Sequence, residues 1–131
     1  GAAHGGLSLW NEMKIFRSVM NLRYGVPLAS PAIMPAKTIL SMATRGGRAC
    51  LGDPQGGVIR EGAAADIIGI DMQKPHLAVY GHISNTLLES VNASDVTDTI
   101  AGGRVLMEKG EILVLDRERI LSEARAYQAS I

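Results

Sequence analysis

Three histidines, one cysteine and a scatter of acids are the side chains of this chain with the chemistry to do more than pack. His4, His76 and His82 stand in no H-x-H or H-E-x-x-H setting, and Cys50 has no second cysteine near it. No metal centre can therefore be assembled from local spacing. Each histidine reads as a loop residue with a hydrogen-bond partner, and Cys50, on an apolar helical turn, reads as core. The paired glycines Gly46-Gly47 and Gly56-Gly57 follow neither a P-loop nor a G-x-G-x-x-G pattern, so they read as turn and close-packing residues. No G-x-S-x-G elbow exposes a serine nucleophile. Asn92-Ala93-Ser94 matches a glycosylation sequon, but nothing in the cysteine usage supports secretion. Spacing alone thus supplies no catalytic residue and no metal ligand.

The elements that position these residues come in an unusual order. Leu9, Met13, Phe16 and Met20 recur at helical steps and Ile15, Val19 and Leu22 widen the stripe, predicting a helix over 7–24 that packs on two neighbours. Ser8 is placed to cap it, and Gly25 and Pro27 to end it. A Pro-punctuated linker over 26–34 leads to a second helix over 35–44, opened by Pro35 and broken by Gly46-Gly47. One short turn, 48–51, comes before Gly52. Residues 58–62 read as a short strand and turn, and the β-branched run Asp66–Asp71 as a strand. Residues 72–82 form a loop and 83–92 a helix. Val96–Ala101 and Arg104–Glu108 are paired across Gly102-Gly103, a hairpin loop suited to positive φ. Lys109-Gly110 turns the chain again into 112–115. Asp116 then caps a closing helix that carries Ile120, Leu121, Ala124 and Tyr127.

Composition bounds the rest. The 131 residues carry 13 Lys plus Arg against 13 Asp plus Glu, a neutral balance that argues against nucleic acid or a polybasic membrane contact. Only 4% of residues are aromatic, too few for a base-stacking surface. No apolar run reaches the roughly 18 residues of a membrane span, and the single cysteine fits a cytoplasmic, reducing compartment. The pattern is α+β: helices, then a few short strands whose unpaired edges need a partner.

Three stretches, in order, resemble the carboxy-terminal part of the amidohydrolase superfamily. Met42-Ala43-Thr44-Arg45-Gly46-Gly47-Arg48-Ala49-Cys50-Leu51-Gly52 resembles its "MAT-x-GGA-x-ALG" helix. Gly57 to Asp71, with Gly62 and Ala65-Asp66-Ile67, resembles its strand-turn-strand. His82 to Val105, with Ser94-Asp95-Val96 and Gly102-Gly103, resembles its last strands. The metal-dependent deaminase and chlorohydrolase branch is the nearest, guanine-deaminase-like or methylthioadenosine/S-adenosylhomocysteine-deaminase-like. Leu7-Ser8-Leu9-Trp10 favours the former, and the Gly62-Ala63 pair departs from the usual Gly-Lys.

The resemblance implies a (β/α)8 barrel joined to a small composite β-sandwich. Residues 1–52 would be the end of the barrel, 53–115 the carboxy-terminal half of the sandwich with an inserted helix, and 116–131 the closing helix. Gly1 to Leu7 resembles the family's stretch just after its last metal ligand, an Asp, so the chain would begin one residue after that ligand and hold none itself. The parent would use a divalent metal, zinc or iron, to hydrolyse a C–N or C–Cl bond on a small nitrogen heterocycle. His4 and Trp10 are the candidate pocket-lining residues. This portion would itself be structural and inactive, with the missing amino-terminal barrel portion as its partner. The alternative is a stand-alone interaction subunit that pairs its sheet edges with a separate barrel chain or with itself.

Overall fold

The computed structural model describes residues 7–24 and 33–130. The linker expected over 26–34 lies mostly outside them, as does His4. In chain order the elements are α1 (Leu9–Tyr24), α2 (Ala36–Ser41), a π-helical turn (Met42–Gly46), α3 (Gly47–Cys50), β1 (Ile67–Ile70), α4 (Ile83–Glu89), a 3-10 turn (Ala93–Asp95), β2 (Val96–Ala101), β3 (Arg104–Glu108), β4 (Glu111–Ile112) and α5 (Arg117–Gln128). They fall into two compact units. One holds the residues up to Ala64 together with Asp71–Asp95, the other Ala65–Ile70 together with the chain from Val96 onward.

The first unit is helical. Ser8 accepts the Asn11 amide at 3.4 Å and so caps α1. Met13 from α1, Ala36 and Ile39 from α2 and Leu88 from α4 form its buried cluster, with Trp10, Met34, Leu40 and Ala43 packed around it. The helix α1 therefore does have two neighbours, α2 and α4. Its stripe is only partly used: Leu9, Ile15, Phe16, Val19 and Leu22 stay exposed.

Three expectations fail in this unit. Gly46-Gly47 does not break the second helix. Gly46 and Gly47 take right-handed φ of −62° and −59°, and the helix passes through a π turn into α3. Glycine weakens a helix by about 1 kcal/mol but does not forbid one. The Thr44 hydroxyl donates back to the Leu40 carbonyl at 2.8 Å within the same stretch. The stop comes at Gly52, whose φ of +84° ends the helix. Cys50 is exposed, not core, because α3 turns that face to solvent. Residues 58–62 form no strand. The turn expected with it is present, closed by the Ala63 amide on the Arg60 carbonyl with Gly62 at φ +78°.

The second unit is an antiparallel sheet in the order β1-β2-β3-β4. The hairpin across Gly102-Gly103 forms as its sequence dictates, with φ of +55° and +80°. Lys109 and Gly110 turn the next pair with φ of +50° and +82°. Paired residues share a face. Ile67, Ile100 and Val105 line one face, and Ile68, Thr99, Met107 and Ile112 the other. Both faces thus carry an apolar row. Asp116 caps α5 by accepting the Arg119 amide at 2.9 Å, yet α5 buries no residue. Among the described residues, every buried side chain belongs to the first unit.

Candidate functional site

The densest polar cluster is built around Asp95. The 3-10 turn Ala93–Asp95 brings its carboxylate back over the preceding backbone, where it accepts the Asn92 amide at 2.9 Å. A tight turn, closed by the Leu77 amide on the Lys74 carbonyl at 2.8 Å, presents Lys74 and His76 together while fully buried Leu77 anchors it. Lys74 Nζ donates to Asp95 Oδ1 at 3.0 Å and to the Ser94 carbonyl at 2.6 Å. His76 Nε2 meets Asp95 Oδ2 at 3.0 Å. The Asp71 amide donates to the Asp95 carbonyl at 3.1 Å, which ties the two ends of the Asp71–Asp95 excursion together.

Asp95 is only 1% exposed, so an uncompensated charge there would be costly. The hydrogen bond from His76 does most to compensate it. Burial opposes, and the Asn92 amide and Lys74 add to the stabilisation of the anion. The net effect holds the carboxyl well below the usual carboxylate range. A group with so low a proton affinity is a poor general base near neutral pH. Both its oxygens are occupied, and among the described residues no hydroxyl or thiol is seated on His76. The cluster clamps a chain segment; it does not assemble a nucleophile and base.

The helix α1 carries a second polar line. Trp10 Nε1 donates to the Leu87 carbonyl at 2.8 Å. Lys14 Nζ donates to the Val91 carbonyl at 3.0 Å and to Asn92 Oδ1 at 3.2 Å. Arg17 pairs with Glu89 at 2.6 Å. Trp10 is thus engaged in helix packing. His82 stands at the N-cap of α4 without a side-chain capping bond. A shallow concavity of about 700 Å³ beside Met107, Ile112 and Arg117 in the second unit gathers no convergent set of catalytic groups.

The described residues do not suit a catalytic metal. No three of their His, Cys, Asp or Glu side chains come close enough to share an ion. The imidazole–carboxylate pair of His76 with Asp95 already spends both carboxylate oxygens on Lys74, His76 and Asn92. The sequence signal for this cluster is weak, because Lys74 and His76 lie 21 and 19 residues before Asp95. Its nearest trace is the Ser94-Asp95-Val96 motif.

With this geometry in hand, the fold can be placed. It superimposes on part of a zinc-bound adenosine deaminase from Xanthomonas campestris, with a TM-score of 0.84 and 21% identity over 93% of this chain and 27% of that one. It also matches a zinc complex of atrazine chlorohydrolase from Arthrobacter aurescens, with a TM-score of 0.73 and 27% identity over 87% of this chain and 25% of that one. The fold is therefore that of a segment shared by these two zinc-bound enzymes. The sequence goes further: residues 2–106 match the Amidohydrolase family, and the chain belongs to it. Two curated relatives are a 5-methylthioadenosine/S-adenosylhomocysteine deaminase of Dictyoglomus thermophilum, 39% identical over 97% of this chain, and a 5'-deoxyadenosine deaminase of Methanosarcina acetivorans, 36% identical over 95%. The chain spans 29% and 28% of their lengths. None of its described helices is long and apolar enough to cross a membrane.

Proposed function

We propose that this chain is the carboxy-terminal portion of a cytoplasmic, metal-dependent amidohydrolase that deaminates an adenosine-type nucleoside altered at its 5' carbon. Water replaces the exocyclic amino group of the purine ring, and ammonia leaves. The observation that carries this reading is the 39% identity to a deaminase of such nucleosides, sustained over 97% of the chain. The described residues do not fit a metal, so the zinc or iron of the complete enzyme is held by other residues. The role of this portion is structural. Residues 1–52 complete the barrel, 53–115 form half of the sandwich and 116–131 the closing helix. His4 and Trp10 are the proposed pocket-lining residues of the complete enzyme.

The uncovered apolar surfaces support the view that the portion is incomplete by itself. The face of α1 and the two rows of the sheet are what a barrel and a second β-layer would cover. The test is to assay the complete zinc-loaded enzyme and this chain alone with 5'-methylthioadenosine and with a chlorotriazine. Ammonia from the nucleoside, released by the complete enzyme only, is expected. Chloride release without ammonia would move the substrate class to chlorinated triazines. Turnover by the isolated chain, or a stable stand-alone oligomer paired through its sheet edges, would overturn the structural role.

A further inference from the structure

Two lysines from different elements grip the stretch Val91–Asp95. Lys14 of α1 donates to the Val91 carbonyl at 3.0 Å and to Asn92 Oδ1 at 3.2 Å. Lys74 donates to the Ser94 carbonyl at 2.6 Å and to Asp95 Oδ1 at 3.0 Å. Each ammonium thus takes one backbone oxygen and the side-chain oxygen of the next residue. The two grips meet at Asn92, whose side chain serves Lys14 while its amide donates to Asp95 Oδ2 at 2.9 Å. The Asp95 amide closes the turn on the Asn92 carbonyl at 3.0 Å. Val91 and Asp95, the ends of the stretch, are both fully buried. A close-packed interior transmits a shift rather than absorbing it, so neither end can move alone.

We infer that Val91–Asp95 is a two-ended staple that couples α1 to the turn of Lys74 and Leu77, so that helix and turn open together. The coupling is polar. Among the described residues, the buried cluster that holds α1 comprises Met13, Ala36, Ile39 and Leu88 and does not include Leu77, the anchor of the turn. Releasing Lys14 frees the Asn92 side chain, and the Asn92 amide then holds Asp95 less firmly. Hydrogen bonds that share a group strengthen one another, so losing one weakens the next. Asn92, the first residue of the sequon Asn92-Ala93-Ser94, is spent in this staple: its Oδ1 accepts from Lys14 and its Nδ2 donates to the Ser90 carbonyl at 3.3 Å. Trp10 and Arg17 hold α1 to Leu87 and Glu89 independently of Lys14. A change at Lys14 therefore leaves α1 docked and isolates the coupling.

Amide exchange in the complete enzyme tests this, with a readout independent of the reaction the enzyme performs. Lys14→Met and Lys74→Met each remove one ammonium and keep the apolar stem, and Lys14→Arg keeps a cation. Lys14→Met is expected to speed exchange of the Asn92 and Asp95 amides about tenfold, the loss of a charged hydrogen bond. It should also speed the Asp71 and Leu77 amides, which bond to the Asp95 and Lys74 carbonyls and not to Lys14, by about threefold or more. With both lysines changed, the rise at Asn92 should fall short of the product of the single rises by about threefold or more. Lys14→Arg should leave Asp71 and Leu77 near the wild-type rate. A rise at Asp71 and Leu77 below about threefold in Lys14→Met overturns the inference. So do single effects that simply multiply, or an equal rise across all amides of the enzyme, those of β2 included.

Discussion

Gly57 lies directly against the backbone of Thr44. A β-carbon at Gly57 would fall 2.6 Å from both the carbonyl carbon and oxygen of Thr44, and φ at Gly57 is +70°. Thr44 is the middle residue of the π turn, so the loop 52–57 closes onto the widest part of that helix. The obstacle is backbone, which cannot swing aside as a side-chain tip could. Gly57→Ala should therefore destabilise the chain by about 2–4 kcal/mol, strain and overpacking together. Gly52→Ala is the control: φ is +84° but nothing lies within 4 Å of the added carbon, and its cost should stay near 1–2 kcal/mol. Urea midpoints measure both, and equal losses would show that the loop does not press on the π turn.

Asp95 predicts the response to acid. Its carboxyl binds protons less readily in the folded chain than in the unfolded one, so its contribution is complete above the ordinary carboxylate pKa of 3.8 and is lost as pH falls below it. Asp53, hydrogen-bonded by Arg48, and Asp98, hydrogen-bonded by Thr97, are shifted in the same direction and add to the same loss. Asp95→Asn should cost about 2–4 kcal/mol at pH 7, since Lys74 and His76 lose a charged acceptor. Stability of the variant should also fall less steeply between pH 5 and pH 2 than that of the wild type, with both limits set around the carboxylate range. Parallel pH profiles would mean that Asp95 contributes nothing through its charge.

The features legible in the sequence are those that local chemistry decides. The hairpin at Gly102-Gly103, the caps at Ser8 and Asp116 and the stripe that carries Met13 into the core each depend on a few neighbouring residues. The illegible ones depend on distant partners. Gly46-Gly47 stays helical because its conformation is set by the surrounding turns, and the expected strand at 58–62 has no neighbour to pair with among the described residues. The Asp95 clamp joins residues about twenty positions apart, so no motif scan assembles it. The family pattern marks Asp95 without giving its partners.

Core substitutions should separate the two units. Leu88 is fully buried against Met13 and Ile39, so Leu88→Ala leaves a cavity and should cost about 3 kcal/mol. Ile68, on a sheet face, is 48% exposed, and Ile68→Ala should cost under about 1 kcal/mol in the isolated chain. Thermal or urea unfolding of the two variants decides the matter. A large loss at Ile68 would mean that its face is covered in solution, as in a self-associated form.

Amide exchange should reveal the same asymmetry without mutation. The strands β1, β2 and β3 pair antiparallel with one register shift in each pair, at Gly69/Ile70 and at Thr99/Ile100, yet none of the sheet's side chains is buried. Opening it exposes little new apolar surface, so the free energy of local opening is small even where hydrogen bonds are intact. The first unit must expose Leu77, Leu88 and Val91, each with no accessible surface, before its amides can exchange. In the isolated chain, amides of Val96–Glu108 should exchange at least tenfold faster than those around Leu88 and Val91. In the complete enzyme, where the proposed barrel and second β-layer cover both apolar rows, that gap should close. Equal protection of the two regions in the isolated monomer would show that the sheet is stable uncovered, and the case for a missing β-layer would fail.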